Sequence, residues 1–112
     1  MKYYSEDQMK NIRMKVEEEV LKWEGISTTK MFGCPCYKVN DKLFGFLVTS
    51  GIVLTKFPKQ EKPRISQEFD TGPFRAGNRT MRDWVQIPIH NKDLVPQILP
   101  FLRKSYVNAK KD

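Results

Sequence analysis

Residues 28–57 read TTKMFGCPCYKVNDKLFGFLVTSGIVLTKF, and the predicted fold is built around them. It contains three apolar runs, MFGCPCYKV, KLFGFLV and GIVLTKF. Two short turns, Asn40-Asp41 and Ser50-Gly51, separate these runs. Short apolar runs joined by such turns are typical of antiparallel strands that follow one another in a meander. The sequence therefore predicts three neighbouring strands that form the floor of a small domain.

The central run, KLFGFLV, should hold the other elements in position. Alternation along a strand places Phe44 and Phe46 on one face of the sheet and Gly45 on the other. The aromatic face can be buried, and the glycine leaves a shallow spot where a helix can approach closely. We therefore expect the rest of the chain to pack against this strand.

A helix is predicted before the meander. Ser5-Glu6-Asp7-Gln8 has the pattern of a capping box, which satisfies backbone amides at a helix start. Apolar residues then recur at spacings of three and four, the pattern of a helix with one buried face. These residues are Met9, Ile12, Val16, Val20 and Trp23. Gly25 should end this helix, and the glutamates at residues 17–19 should form a solvated face.

Residues 59–82 are the longest stretch without strong periodicity. Such a stretch in a compact domain is commonly functional, mobile or partly helical, and residues 63–69 can form one or two helical turns. Turns are predicted at residues 71–74 and at Gly77-Asn78.

A further strand, WVQIPI at residues 84–89, precedes a final helix that Asn91 or Asp93 can cap. Pro100 should kink or restart this helix. The element order predicts a single α+β domain over residues 1–112, with two layers. Its sheet is mostly antiparallel, and the N- and C-terminal helices cover one face.

Length and composition place the chain among ordinary globular domains. It has 112 residues, of which 39% are hydrophobic and 29% charged, and no apolar run reaches a membrane span. The N-terminus lacks the apolar segment of a signal peptide, so a cytoplasmic location is expected. The net charge of +7, from 20 Lys and Arg against 13 Asp and Glu, would attract nucleic acid, acidic proteins or anionic lipid.

The sequence predicts neither an enzyme nor a metal site. Cys34, Cys36 and His90 are the only soft metal ligands, whereas a zinc site needs about four. The chain contains no phosphate-binding glycine loop and no HExxH or GxSxG motif. The two cysteines are interpreted as buried structural thiols, and a cysteine paired with His90 is the one catalytic arrangement worth testing. No cofactor is predicted.

Several short motifs, in this order and spacing, resemble the N-terminal domain of the TfoX/Sxy family. They are Met31-Phe32-Gly33, Tyr37, Lys42-Leu43-Phe44-Gly45-Phe46, Gly72-Pro73-Phe74, Met81, Trp84 and Pro88. The resemblance extends from the first helix to about Ala109. It implies a two-layer fold similar to secretion chaperones, and a regulatory role linked to bacterial competence and transcription.

The sequence departs from the family in two places. Family members usually carry small residues such as glycine after the MFG motif, where this chain has Cys34 and Cys36. The competence regulators also have a second, C-terminal helical domain, which these 112 residues do not include. No catalytic residue is carried over by the resemblance.

The first functional hypothesis is a non-enzymatic regulatory module that contacts a protein partner or a second copy of itself. The contact would be an uncovered sheet face or a strand edge near residues 34–37. The residues assigned to this contact are Cys34, Cys36, Tyr37, Phe74 and Trp84.

The alternative is direct binding of DNA or RNA by the basic loop at residues 56–82. Its cations can neutralise phosphates, and its aromatic residues can stack on bases. The residues assigned to this site are Lys56, Lys59, Arg64, Arg75, Arg79 and Arg82, with Lys62 nearby. Cations gathered on one face would favour nucleic acid, and dispersed cations would favour the protein contact.

Overall fold

The computed structural model describes residues 3–111, and these form three helices and six strands. The helices are α1 (Glu6–Val20), α2 (Lys62–Glu68) and α3 (Val95–Lys111). The strands are β1 (Ile26–Met31), β2 (Cys34–Val39), β3 (Lys42–Val48), β4 (Gly51–Leu54), β5 (Gly72–Ala76) and β6 (Arg79–Pro88). Single 3₁₀ turns, Lys59–Glu61 and Lys92–Leu94, lead into α2 and α3. The predicted α+β class is confirmed.

The strands form one antiparallel sheet in the order β1-β2-β3-β4-β6-β5. The predicted meander is confirmed as β2, β3 and β4. Its first turn is Asn40-Asp41, and both residues adopt left-handed φ angles of 50° and 67°, as a tight hairpin requires. The second turn is Thr49-Ser50, one residue earlier than predicted, because Gly51 already belongs to β4.

The sequence did not predict β1, which forms one edge of the sheet. Phe32 and Gly33 make the turn between β1 and β2, with φ angles of 54° and 80°, so MFGCPCYKV is not a single strand. β2 is an interior strand although it contains Pro35, a residue usually confined to edge strands and bulges. Pro35 is tolerated because it lies opposite Lys30 of β1, while the pairing of β2 with β3 starts only at Cys36.

Gly45 is a point of close helix approach, as predicted, and the helix is α3. A Cβ atom at residue 45 would lie 2.9 Å from Leu102 Cδ1 and 3.3 Å from the carbonyl oxygen of Val53. Leu102 is fully buried, so α3 packs directly on β3. Any side chain at residue 45 would separate these two elements.

A buried hydroxyl on α3 completes the hydrogen bonding of the sheet. β3 has a β-bulge at Phe44, which is an extra residue relative to β2. Because of the bulge, Phe44 packs against Tyr106 of α3, with ring centroids 5.4 Å apart, and does not share a face with Phe46 as predicted. Ser105 Oγ donates to the carbonyl oxygen of Phe44 at 2.6 Å and accepts from the backbone N–H of Lys56 at 3.0 Å. Asn108 Nδ2 donates to the carbonyl oxygen of Lys56 at 2.7 Å. The chain after β4 is therefore tied to α3 through its backbone.

Removing this hydroxyl should destabilise the fold. Ser105→Ala should lower the free energy of unfolding by about 1–3 kcal/mol, the cost of a buried donor without a partner. The loss falls on the N–H of Lys56, because the carbonyl of Phe44 also accepts from the N–H of Thr55 at 3.1 Å. Urea denaturation measures the change, with the exposed Ser66→Ala as control, expected to stay within about 0.5 kcal/mol. Equal effects of the two substitutions would contradict this role of Ser105.

The face of the sheet turned away from α3 is closed by its own side chains. The ring centroids of Phe46 and Phe74 lie 5.2 Å apart, although β4 and β6 separate their strands. A flat sheet would hold these rings about 14 Å apart. The sheet is therefore strongly curved, and Phe46 and Val53 are buried on its concave side. The expectation of an uncovered sheet face is wrong for these central strands.

The apolar stripe of α1 is confirmed at four of its five positions. The buried members are Met9, Ile12, Val16 and Val20. The predicted capping box is wrong, since the Ser5 side chain makes no capping hydrogen bond. The helix ends before Trp23, and Gly25, with a φ of 79°, turns the chain into β1. Glu17 is not solvated as predicted, because its Oε2 accepts from the buried Tyr37 hydroxyl at 2.8 Å.

The C-terminal half differs from prediction mainly in its strands. Most of the predicted turn at residues 71–74 belongs to β5, an edge strand that can contain Pro73. The turn at Gly77-Asn78 is confirmed, and β6 starts directly after it rather than at residue 84.

The helices of the C-terminal half follow the sequence more closely. The predicted helical turns at residues 63–69 are confirmed as α2. Asn91 Oδ1 accepts from the N–H of Asp93 at 2.9 Å and caps the turn before α3. α3 runs through Pro100 as one helix and does not restart there.

Candidate nucleic-acid interface

Two surface grooves meet at Trp84, and most charged side chains that line them are basic. The first groove, of about 770 Å³, lies between the segment after β4 and the C-terminal half of α3. Its charged residues are Lys56, Lys59, Glu61, Asp83, Arg103, Lys104 and Lys111. The second groove, of about 480 Å³, lies between α2 and the hairpin of β5 and β6. Its charged residues are Lys62, Arg75 and Arg82. We call the two grooves together the basic surface.

Trp84 sits at this junction because β6 extends further than β4. The last pair between these strands is Leu54 with Val85, so Trp84 lies one residue beyond the end of β4. Its ring packs against those of Phe46 and Phe74, with centroids 5.6 and 5.9 Å away. These contacts bury only part of the residue. The result is a half-buried aromatic residue, held firmly, between two groups of cations.

The basic surface keeps a strong positive excess despite some ion pairs. It has eight Lys and Arg against two acidic residues. Lys104 pairs with Glu61 at 2.7 Å, and Lys59 pairs with Asp83 at 3.6 Å, where both side chains are exposed and screened by water. Among residues 3–111, five of its cations form no ion pair with a carboxylate. These are Lys62, Arg75, Arg82, Arg103 and Lys111. Such a surface attracts polyanions.

The structure brings four of the six predicted nucleic-acid residues to the basic surface and leaves two outside it. Lys56 and Lys59 line the first groove, and Arg75 and Arg82 line the second. Arg64 on α2 and Arg79 beside the hairpin turn are exposed but line neither groove. The loop cations are therefore partly gathered and partly dispersed.

Sequence reasoning missed the contribution of α3. Arg103, Lys104 and Lys111 line the first groove, whereas in the sequence cations near a helix C-terminus indicate only a favourable interaction with the helix dipole. The spacing of residues 103, 107 and 111 does place them on one helix face. The sequence does not show which segment lies beside that face. In the structure it is the segment after β4.

Four of the five residues predicted for protein contact are buried in the monomer. Cys34, Cys36, Tyr37 and Phe74 have exposed fractions of 2%, 1%, 0% and 8%. The predicted strand edge at residues 34–37 is also wrong, because β1 covers it. Trp84 alone stays partly accessible. These buried side chains cannot form a docking surface on the folded monomer.

The two cysteines are buried free thiols, as predicted. Cys36 Sγ donates to the carbonyl oxygen of Cys34 at 3.3 Å. Within residues 3–111, exposed His90 forms no hydrogen bond to either sulfur. Burial raises the pKa of Cys34 to about 11 and also raises the pKa of Cys36. A protonated thiol is a poor nucleophile, so this environment disfavours cysteine chemistry at neutral pH.

The same burial predicts a loss of stability in alkali. In the folded protein the pKa of Cys34 is about 11, whereas the pKa of an unperturbed thiol is 9.0. The unfolded chain therefore binds fewer protons in this window, and the free energy of unfolding should fall as the pH rises. Urea denaturation across the window measures this slope, and Cys34→Ala should reduce it. An identical slope in wild type and Cys34→Ala would contradict the assignment.

Neither a metal site nor a membrane span is found in the part of the chain that the structure describes. In residues 3–111, no three His, Cys, Asp or Glu side chains gather in a metal-binding arrangement. Over the same residues, no helix combines the length and apolarity needed to cross a bilayer.

Comparison of this chain with protein-family models, with curated proteins and with solved structures finds no match. The resemblance to the TfoX/Sxy N-terminal domain therefore stays a prediction.

Proposed function

We propose that this protein binds single-stranded nucleic acid across the basic surface, with little sequence preference. The observation that carries this proposal is the convergence of two cation-lined grooves on the half-buried Trp84. Proteins that bind single strands combine a positive groove along the phosphates with aromatic residues on which bases stack. Trp84 supplies the aromatic residue, and Arg75, Arg82 and Lys111 supply cations free to meet phosphates.

The shape of the basic surface favours a single strand over a duplex. Both grooves are small, about 770 and 480 Å³, so neither can enclose a duplex, of which the major groove alone is about 12 Å wide. The cations also line concave surfaces, whereas a protein that reads a duplex inserts a projecting helix or ribbon. Arg79, beside the hairpin turn, is where such a ribbon would contact a duplex. This residue therefore separates the two modes of binding.

Paired charge-neutralising variants test the proposal. Arg75→Gln/Arg82→Gln removes two groove cations, and the matched control Arg64→Gln/Arg79→Gln removes two exposed cations outside the grooves. In fluorescence anisotropy with a labelled single strand at low salt, the first pair should weaken binding about tenfold or more. The control pair should change it by no more than about threefold.

A second readout follows Trp84 directly. Trp23→Phe leaves Trp84 as the one tryptophan, and base stacking should quench its emission when a single strand binds. Absence of binding at low salt would overturn the proposal. So would equal loss in the two double variants, or preferred binding of a duplex that Arg79→Gln abolishes.

A protein-contact module is the second candidate, and it is the role that the TfoX/Sxy resemblance implies. The observation in its favour is the open edge of β1, with the side chain of Phe32 beside it 75% exposed. In both candidates the protein is a binding module and not an enzyme.

A further inference from the structure

The two edges of the sheet differ in how well they resist pairing with another strand. Native edge strands are commonly protected by proline, charge or a bulge. β5 has such protection, because it contains Pro73 and Arg75 and its register with β6 shifts. β1 contains no proline, has Lys30 as its one charge, and pairs with β2 over six residues without a shift. The β1 edge is therefore the open one.

The free hydrogen-bonding groups of this edge can be assigned. The N–H of Asn40 donates to the carbonyl of Gly25 at 3.2 Å, so residue 25 directs its polar groups towards β2. Directions alternate along an antiparallel ladder. Ile26, Thr28 and Lys30 therefore direct their N–H and C=O groups outward, away from β2.

We propose that a second copy of this chain pairs with this edge, β1 against β1, antiparallel about a two-fold axis. Two registers pair nearly the whole strand. In the first, the axis passes through Thr28, so that Thr28 pairs with its own copy and Lys30 lies opposite Ile26 of the partner copy. In the second, the axis passes through Thr29, so that Thr29 pairs with its own copy and Lys30 lies opposite Thr28 of the partner copy. A further shift would oppose Lys30 to itself, which like-charge repulsion disfavours. The strand is thus self-complementary in these two registers.

The pairing would also cover the most exposed large apolar side chain among residues 3–111. Phe32, 75% exposed, directly follows β1. When the axis lies at Thr29, Phe32 stands opposite Ile26 of the partner copy and both become shielded. The two six-stranded sheets then form one continuous sheet. Such isologous contacts are the commonest way in which identical chains assemble.

Sedimentation equilibrium of the full chain tests this proposal. Wild type should form dimers, more strongly at higher salt, because screening reduces the repulsion between copies of net charge +7. Thr28→Lys opposes like charges in either register and should weaken dimerisation about tenfold or more. Asn11→Lys adds the same charge on an exposed site of α1 and should leave dimerisation unchanged. Circular dichroism checks that both variants remain folded.

Amide hydrogen exchange shows whether β1 is the surface used. The amides of Thr28 and Lys30 should gain protection as the protein concentration rises, and should lose it in Thr28→Lys. A wild-type protein that stays monomeric at millimolar concentration would overturn the proposal. A dimer that survives Thr28→Lys with these two amides unprotected would overturn it as well.

Discussion

Gly45→Ala should lower the free energy of unfolding by about 1–3 kcal/mol, the usual cost of overpacking a dense core. The added methyl carbon would lie 2.9 Å from Leu102 Cδ1, closer than carbon atoms can approach without movement. Leu102 is fully buried and cannot swing into solvent. Gly72→Ala is the matched control, because no atom lies within 4 Å of a Cβ built there.

A double-variant experiment can separate this steric cost from the low β-strand propensity of alanine. Leu102→Ala alone should cost about 2–5 kcal/mol through the cavity it leaves. In that background the methyl group of Gly45→Ala no longer meets Leu102, and only the 3.3 Å contact with the carbonyl oxygen of Val53 remains. Its extra cost should therefore fall to less than about 1 kcal/mol. Urea denaturation of both single variants and the double variant gives the coupling. Strictly additive effects would mean that the contact between α3 and β3 is not what requires glycine.

The affinity for a single strand should fall about 50-fold when salt rises from about 50 to about 200 mM. This estimate takes roughly four phosphate contacts and a slope of about −0.7 for each, as single strands give. Four is a reasonable number because the surface offers eight cations, two of which pair with carboxylates. Anisotropy titrations at several salt concentrations give the slope.

The salt slopes of the two double variants show whether the grooves themselves bind the phosphates. Arg75→Gln/Arg82→Gln should make the slope shallower by about 1.4, while Arg64→Gln/Arg79→Gln should leave it nearly unchanged. An affinity independent of salt would show that phosphates are not what the surface binds. A slope that both double variants reduce equally would show that total charge, and not the two grooves, determines binding.

The meander could be predicted because its strands are apolar runs between residues with strong turn preferences. Gly45 could be predicted as an approach site for the same local reason, since glycine is the one residue without a side chain. β1 was missed because its residues, STTK at the centre, are polar and exposed on both sides. Such a strand lacks the alternation that one buried face produces. β5 was missed because Gly72-Pro73 favours a turn, whereas an edge strand tolerates proline.

The predicted protein-contact residues failed for a physical reason. Cys34, Cys36 and Phe74 lie on strands whose curvature turns one sheet face into an enclosed core. Alternation predicts which side chains share a face only where a strand is regular, and it failed at the bulged Phe44. It also cannot predict whether the sheet bends far enough to cover a face. The hydroxyl of Ser105 shows the same limit, because its partners at Phe44 and Lys56 are 61 and 49 residues away.

The positions of the helices and of the central strands, the contact at Gly45 and the positive charge are all properties that could be predicted from the sequence. These properties follow from neighbouring residues, through periodicity, turn preference and composition. Three features became apparent only in the folded chain. α3 lines the first groove together with the segment after β4, Trp84 lies between two groups of cations, and β1 is left as an open edge. Those features depend on which distant segments pack together, and packing is set by the summed burial of the whole chain rather than by any local pattern.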